Sequence, residues 1–141
     1  MKDTNNLISY NLWSGSEYSE DTSEITPNGL IITPSSEFAT IGEKSFKITR
    51  TGTNNYLTIY ITNLLTNNKT YTVYIDVYSP TTSGNIILRD GAGTNSISYS
   101  AINSVQTVSL SKQFSTSSNC SIQLICSTGP VFIDNIRLVE S

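Results

Sequence analysis

From residue 70 to residue 79 apolar and polar side chains take turns. Tyr71, Val73, Ile75 and Val77 share one parity, and Thr72, Tyr74, Asp76 and Tyr78 share the other. Successive side chains of a strand point to opposite faces, so the alternation predicts a strand with one buried face. Residues 56–62 repeat it, with Leu57, Ile59 and Ile61 against Tyr56, Thr58 and Tyr60. Residues 44–51 set Phe46 and Ile48 against Lys47 and Thr49. Shorter runs predict strands at 6–10, 30–33, 85–90, 96–101, 105–111, 120–127 and 131–139. Turn signals separate them at Pro27-Asn28-Gly29, at 52–55, at 63–69 and at Gly91-Ala92-Gly93. The acidic stretch 14–26 reads as a loop. No stretch keeps the helical spacing i, i+3, i+4, i+7. Many short strands with regular turn signals imply one all-β domain over 1–141, a two-sheet antiparallel sandwich. The expected core is Phe46, Ile48, Leu57, Ile59, Tyr71, Val73, Ile75, Val77, Leu110, Ile122, Leu124, Ile136 and Leu138.

The last strand admits two readings. Phe132, Ile136 and Leu138 share a parity, and Asp134 falls among them. A carboxylate aimed at a core is costly unless a cation or several donors meet it. Alternatively Val131 and Ile133 start the buried face, and the pattern slips by one residue at Asp134-Asn135, as at a β-bulge.

Composition narrows the chemistry. Eleven acids against 8 bases give a net charge of −3, with no basic face for nucleic acid or a polybasic membrane contact. Charged residues make up only 13% of the chain, and Ser, Thr and Asn fill their place. Such a neutral polar surface suits secreted β-proteins and sugar recognition, because hydroxyls and amides hydrogen-bond without charge. Met1-Lys2-Asp3 leads into polar residues with no apolar signal core and no membrane span, so either an export signal lies elsewhere in a longer parent or export uses another route. There is no histidine, which removes Ser–His and Cys–His nucleophiles and the commonest metal ligand. No spacing singles out a carboxylate pair for glycoside hydrolysis, and the only metal sites open to the chain are hard-cation sites of oxygen. Gly91-Ala92-Gly93 has no helix after it and is not a phosphate loop. Cys120 and Cys126 share parity with Ile122 and Leu124. On one strand their Cα atoms would lie roughly 20 Å apart at 3.3 Å per residue, so two free buried thiols are expected.

Eight Tyr, 4 Phe and 1 Trp stand out. Tyr74 and Tyr78 flank Asp76 on the face opposite the core, as Tyr56 and Tyr60 flank Thr58. A tyrosine offers a flat apolar face for the C–H patches of a sugar ring and a polar tip for its hydroxyls.

Several segments resemble carbohydrate-binding modules of the β-jelly-roll type, the group that includes families 4, 9, 16 and 22. They are Asn6 to Ile8, Gly42-Glu43-Lys44-Ser45-Phe46-Lys47-Ile48, residues 69–77, Val105-Gln106-Thr107-Val108 ahead of Phe114, and Phe132-Ile133-Asp134-Asn135-Ile136-Arg137-Leu138. The resemblance implies two stacked antiparallel sheets, one forming a concave cleft for a glycan chain. It also implies that Asp134 matches an aspartate that ligates a structural calcium, helped by backbone carbonyls near the first strand and before the strand holding Phe46. An acid common just after the first strand is replaced here by Ser9-Tyr10-Asn11-Leu12-Trp13. Family clefts use aromatics, an arginine and late-strand glutamines, roles that Arg89 and Gln123 match.

The expected ligand site is therefore Trp13, Tyr74, Asp76, Tyr78, Arg89 and Gln123, with Asp134 on calcium. The expected function is non-catalytic binding of a polysaccharide or cell-surface glycan. The module would belong to a larger extracellular or cell-surface protein, joined to other domains, with no nucleic acid and no membrane insertion. The alternative is a structural or adhesive module of a phage tail fibre or microbial surface adhesin.

Overall fold

The alternating segments become strands that pair only antiparallel. The computed structural model describes residues 25–28, 30–37, 45–50, 56–61, 65–115, 120–126 and 129–140. The strand expected at 6–10 and Trp13 lie outside them. The described strands are β1 (Ile25–Asn28), β2 (Leu30–Ser35), β3 (Ser45–Arg50), β4 (Tyr56–Tyr60), β5 (Lys69–Ser79), β6 (Gly84–Arg89), β7 (Thr94–Tyr99), β8 (Ile102–Phe114), β9 (Ser121–Cys126) and β10 (Val131–Glu140). One sheet has the order β1-β4-β9-β6-β7, the other β2-β3-β10-β5-β8. Only β2–β3 and β6–β7 are sequential neighbours in one sheet; elsewhere the chain crosses between sheets. This is the two-sheet jelly-roll sandwich the alternation implies, and no helix occurs among the described residues.

The inward faces meet in one apolar cluster. Phe46, Ile48, Tyr71, Val73, Ile75 and Val77 come from the second sheet, and Ile59, Ile86, Leu88, Ile122 and Leu124 from the first. Leu110 is half-buried against the cluster, and the side chain of Leu57 lies outside the described ones. Cys120 and Cys126 are free, buried thiols at the parity of Ile122 and Leu124. Tyr71 meets Phe114 edge-on, with centroids 5.8 Å apart, and its hydroxyl accepts the Thr66 N–H at 2.7 Å. Gly84 opens β6 where the Tyr99 hydroxyl crosses to donate to the Ile125 carbonyl at 3.1 Å. A Cβ at residue 84 would run into both of those groups.

Two segments depart from the expected pattern. Residues 25–28, read as the end of a loop and a turn, form strand β1 on β4. Its Pro27 has no N–H to donate, and β1 is an edge strand, where proline is tolerated. In β10 the slipped reading is the observed one. Pairing with β5 runs from Phe132↔Tyr78 to Asp134↔Asp76 and resumes at Arg137↔Tyr74. Asn135 between them is left-handed, φ 50°, a conformation Asn tolerates better than most residues. Val131 and Ile133 join the core before this bulge, Ile136 and Leu138 after it. Phe132 is corrected to the outward face, packed on Tyr78 and Lys47. Asp134 therefore does not share a face with Ile136 and Leu138, although it is 0% exposed.

Candidate functional site

Each sheet presents one outward face, and the structure divides the six expected ligand residues between them. Tyr74, Asp76 and Tyr78 stand together on β5, in the sheet of β2, β3, β10 and β8. Arg89 on β6 and Gln123 on β9 belong to the other sheet. A single cleft containing all of them is thus excluded by topology, and Trp13 lies outside the described residues.

The β5 face is occupied by its own partners. Asp76 is 7% exposed and acts as a hub. Thr107 donates to its Oδ1 at 2.8 Å, Asn135 donates to its Oδ2 at 3.3 Å, and an Arg137 guanidinium nitrogen lies 3.7 Å from Oδ1. The bulge makes this possible: it turns Asn135 toward Asp76 and brings Arg137 opposite Tyr74. The guanidinium then sits over the Tyr74 ring, 5.1 Å from its centroid, and Arg137 Nε donates to the Asn135 carbonyl at 3.2 Å. Tyr78 donates to Asn103 Oδ1 at 2.7 Å and tilts against Phe132 at 5.8 Å. Lys47 Nζ lies over the Phe132 ring, 5.7 Å from its centroid, and pairs with Glu37 at 2.9 Å. That pair holds the exposed Glu37 carboxyl below its ordinary range. Neither Arg137, Asn135 nor Thr107 is marked in the sequence as a partner of Asp76, because no local pattern reveals cross-strand register.

Asp134 lies beside this hub. Its Oδ1 accepts the Asn135 N–H at 2.8 Å. A fully buried carboxylate is the kind of hard oxygen donor that calcium takes. Among the described residues no three His, Cys, Asp or Glu side chains cluster as a metal site, so further donors would be backbone or polar oxygens.

The opposite face is built differently. Register sets Thr58, Gln123, Ile87 and Ser96 in one row across β4, β9, β6 and β7. Tyr56, Ile125, Asn85 and Ser98 form the next row. At about 4.8 Å between strands each row spans roughly 14 Å. Gln123 is half-buried and makes one long contact, 3.4 Å from its Nε2 to Thr58 Oγ1. Ile87, Ile125 and Tyr56 are half-buried, while Asn85, Ser96 and Ser98 are exposed. Asn85 accepts from Ser98 through its amide oxygen at 2.9 Å. Arg89 is exposed and pairs with Ser121 and Thr94 in the row beyond Ile87. The residue after it turns inward. Asp90 is buried, accepting N–H bonds from Ala92 at 2.8 Å, Gly93 at 2.9 Å and Ser115 at 3.0 Å, with Lys112 at 3.8 Å. Burial pushes its carboxyl up, but these donors and the Lys112 charge hold it below its ordinary value.

No protein-family model and no curated protein sequence matches the chain. Solved structures do. The tandem of two family 22 carbohydrate-binding modules from Paenibacillus barcinonensis Xyn10C superposes with a TM-score of 0.71 at 18% identity, over 99% of this chain and 47% of that one. The enzymatically active domain of bacteriophage CBA120 tailspike protein 4 superposes at 0.70 and 15% identity, over 97% of this chain and 22% of that one. The C-terminal family 22 module of Clostridium thermocellum Xyn10B gives 0.67 at 16% identity, over 99% of this chain and 96% of that one. The chain thus fills about half of the tandem and under a quarter of the tailspike domain, but nearly all of a single module. At these identities the likeness is one of fold: this chain has the jelly-roll sandwich of carbohydrate-binding modules.

Proposed function

We propose that the chain is a non-catalytic glycan-binding module that takes a polysaccharide across the outward face of the β1-β4-β9-β6-β7 sheet. The observation that carries this reading is the contrast between the two faces. On the β5 face Asp76, Tyr74 and Tyr78 are held by Arg137, Thr107, Asn135 and Asn103. On the opposite face Gln123, Asn85 and Arg89 present amide and guanidinium groups beside the half-buried Ile87, Ile125 and Tyr56. A sugar chain needs both: apolar patches for its C–H faces and planar donors for its hydroxyls. The fold shared with xylan-binding modules supports the reading, as does the place of similar modules beside other domains in longer chains. In that setting the module is extracellular or virion-borne and anchors its parent to a glycan.

The test is a glycan array followed by titration of the isolated domain, with Kd expected between micromolar and millimolar, about −8 to −4 kcal/mol. Gln123→Ala should abolish binding and Tyr74→Ala should leave it. The reverse result would move the site to the β5 face. Binding to no glycan would favour a structural or adhesive module, the reading to which the tailspike likeness belongs. Calcium at Asp134 is proposed on the burial of that carboxylate. Chelation should lower Tm, since an ion that binds only the native state adds about 2.7 kcal/mol at a hundredfold excess over its Kd. An unchanged Tm removes the ion.

A further inference from the structure

Charge is segregated between the two sheets. Among the described strands, every charged residue but one lies in the sheet of β5: Lys47, Asp76, Asp134 and Arg137 near its centre, the others toward its ends. The strands of the other sheet carry no carboxylate at all, although the whole chain has 11 acids against 8 bases. Their single charge is Arg89. Its side chain is exposed and makes no hydrogen bond or ion pair among the described residues. Three cations of the other sheet are paired, Lys47 with Glu37, Arg137 with Asp76 and Lys112 with Asp90, while Lys69 stands exposed at the start of β5, at the sheet's end.

The nearest acid in sequence is Asp90, and its geometry takes it out of play. Its carboxylate is buried, holds three backbone N–H groups and faces Lys112. Strand alternation sends Leu88 into the core and Arg89 outward, and the Asp90 lock fixes the backbone from which Arg89 projects. The five donors of a guanidinium form a fork that matches a carboxylate in two parallel bonds. A face with such a fork, lined otherwise by neutral amides and hydroxyls, offers an anion a partner and no repulsion.

Resting on the glycan-binding reading, we infer that the ligand is an acidic polysaccharide, a polyuronate or a chain with uronate branches, and that Arg89 takes a carboxylate of it. The rows of Gln123 and Asn85, about 7 Å and about 13 Å away along the strand direction, would hold the hydroxyls of neighbouring rings.

The experiment uses two polymers of one backbone and linkage: polygalacturonate, and the same polymer with its carboxyls reduced to primary alcohols. Titration in dilute buffer should show the acidic form binding at least tenfold more tightly. In 1 M NaCl, where the Debye length shrinks to about 3 Å, that preference should largely disappear. Arg89→Gln, an exposed substitution checked for folding by circular dichroism, should erase the preference, so that the acidic polymer binds no more tightly than the reduced one. Arg89→Lys should keep part of it, since a point charge lacks the fork. Equal or tighter binding of the reduced polymer overturns the inference, and so does a preference that survives Arg89→Gln. If neutral glycans such as xylan bind through Gln123 and no acidic one is preferred, the inference fails while the glycan-binding function stands. If no glycan of either kind binds, both fall.

Discussion

Replacing Asp90 tests the lock that joins the two sheets at the β6–β7 turn. Asp90 follows β6 of one sheet, and Ser115 follows β8 of the other. The carboxylate accepts from Ser115 across the sandwich and from Ala92 and Gly93 within its own turn. A hydrogen bond to a charged group contributes about 1.5–3 kcal/mol. Ala92, Gly93 and Ser115 are exposed residues, so water can replace part of what Asp90→Ala removes. The expected loss is about 2–4 kcal/mol, a fall in Tm on the order of 10 °C for a domain of this size. Asp90→Asn keeps one accepting oxygen and should lose about half as much. The pH dependence has a definite sign. The folded carboxyl lies below its ordinary value, and the unfolded one titrates near about 3.9. Its contribution is complete above the unfolded value and drains away as pH falls through the folded one. Urea unfolding of both proteins from pH 7 down to pH 3 measures this. The gap between wild type and Asp90→Asn should narrow in acid. A midpoint for Asp90→Ala equal to wild type at pH 7, or a gap that widens in acid, would refute the reasoning.

Three further outcomes follow from the packing. Cys120 and Cys126 should react with a thiol reagent only after denaturation, two per chain, because both are buried and burial pushes the Cys126 thiol up to about 11; rapid labelling of the native protein would contradict their placement. Gly84→Ala should cost about 2–4 kcal/mol in urea unfolding, since its Cβ collides with the Tyr99 hydroxyl and the Ile125 carbonyl and displaces their bond. Asn135→Ala should cost about 2 kcal/mol and Asn135→Gly roughly half of that, because both lose the bond to Asp76 but only alanine strains at φ 50°; equal losses would mean the bulge conformation matters little.

The fold was legible because its signal is local. A sandwich core is written as period-two alternation, and the alternations at Phe46–Ile48 and Tyr71–Val77 became the inward faces. What failed to register was made by pairing alone. Strand β1 has Pro27 and no alternation, and it exists because β4 offers it an edge. β8 extends well beyond the expected 105–111 because β5 beside it continues to Lys69, opposite Phe114. At the β10 bulge both readings used the same residues. Only the register on β5 could choose between them, since a left-handed Asn leaves no mark in an alternation count.

The site was less legible, and the reason is topological. Parity tells which residues of one strand share a face, but not which strands share a sheet. Tyr74, Asp76 and Tyr78 on β5 and Arg89 on β6 sit a short connection apart, and a short connection reads as a hairpin. Here residues 80–83 carry the chain from one sheet to the other, with the Ser79 hydroxyl donating to the Thr82 carbonyl at the corner. The aromatic and acidic residues that look like a sugar site from the sequence therefore met a different set of neighbours. An acid and two tyrosines on an interior strand will recruit whatever cation the next strand supplies, and the bulge in β10 supplied Arg137. Once paired, those groups contribute to folding, and a ligand would have to displace partners already in place. Arg89 met no acid on its own sheet, because the described strands around it contain none. A cation without an acid beside it on its own sheet, on a face of amides and hydroxyls, loses nothing when an anion arrives, and that asymmetry is the physical ground for proposing ligand binding on the sheet with less charge.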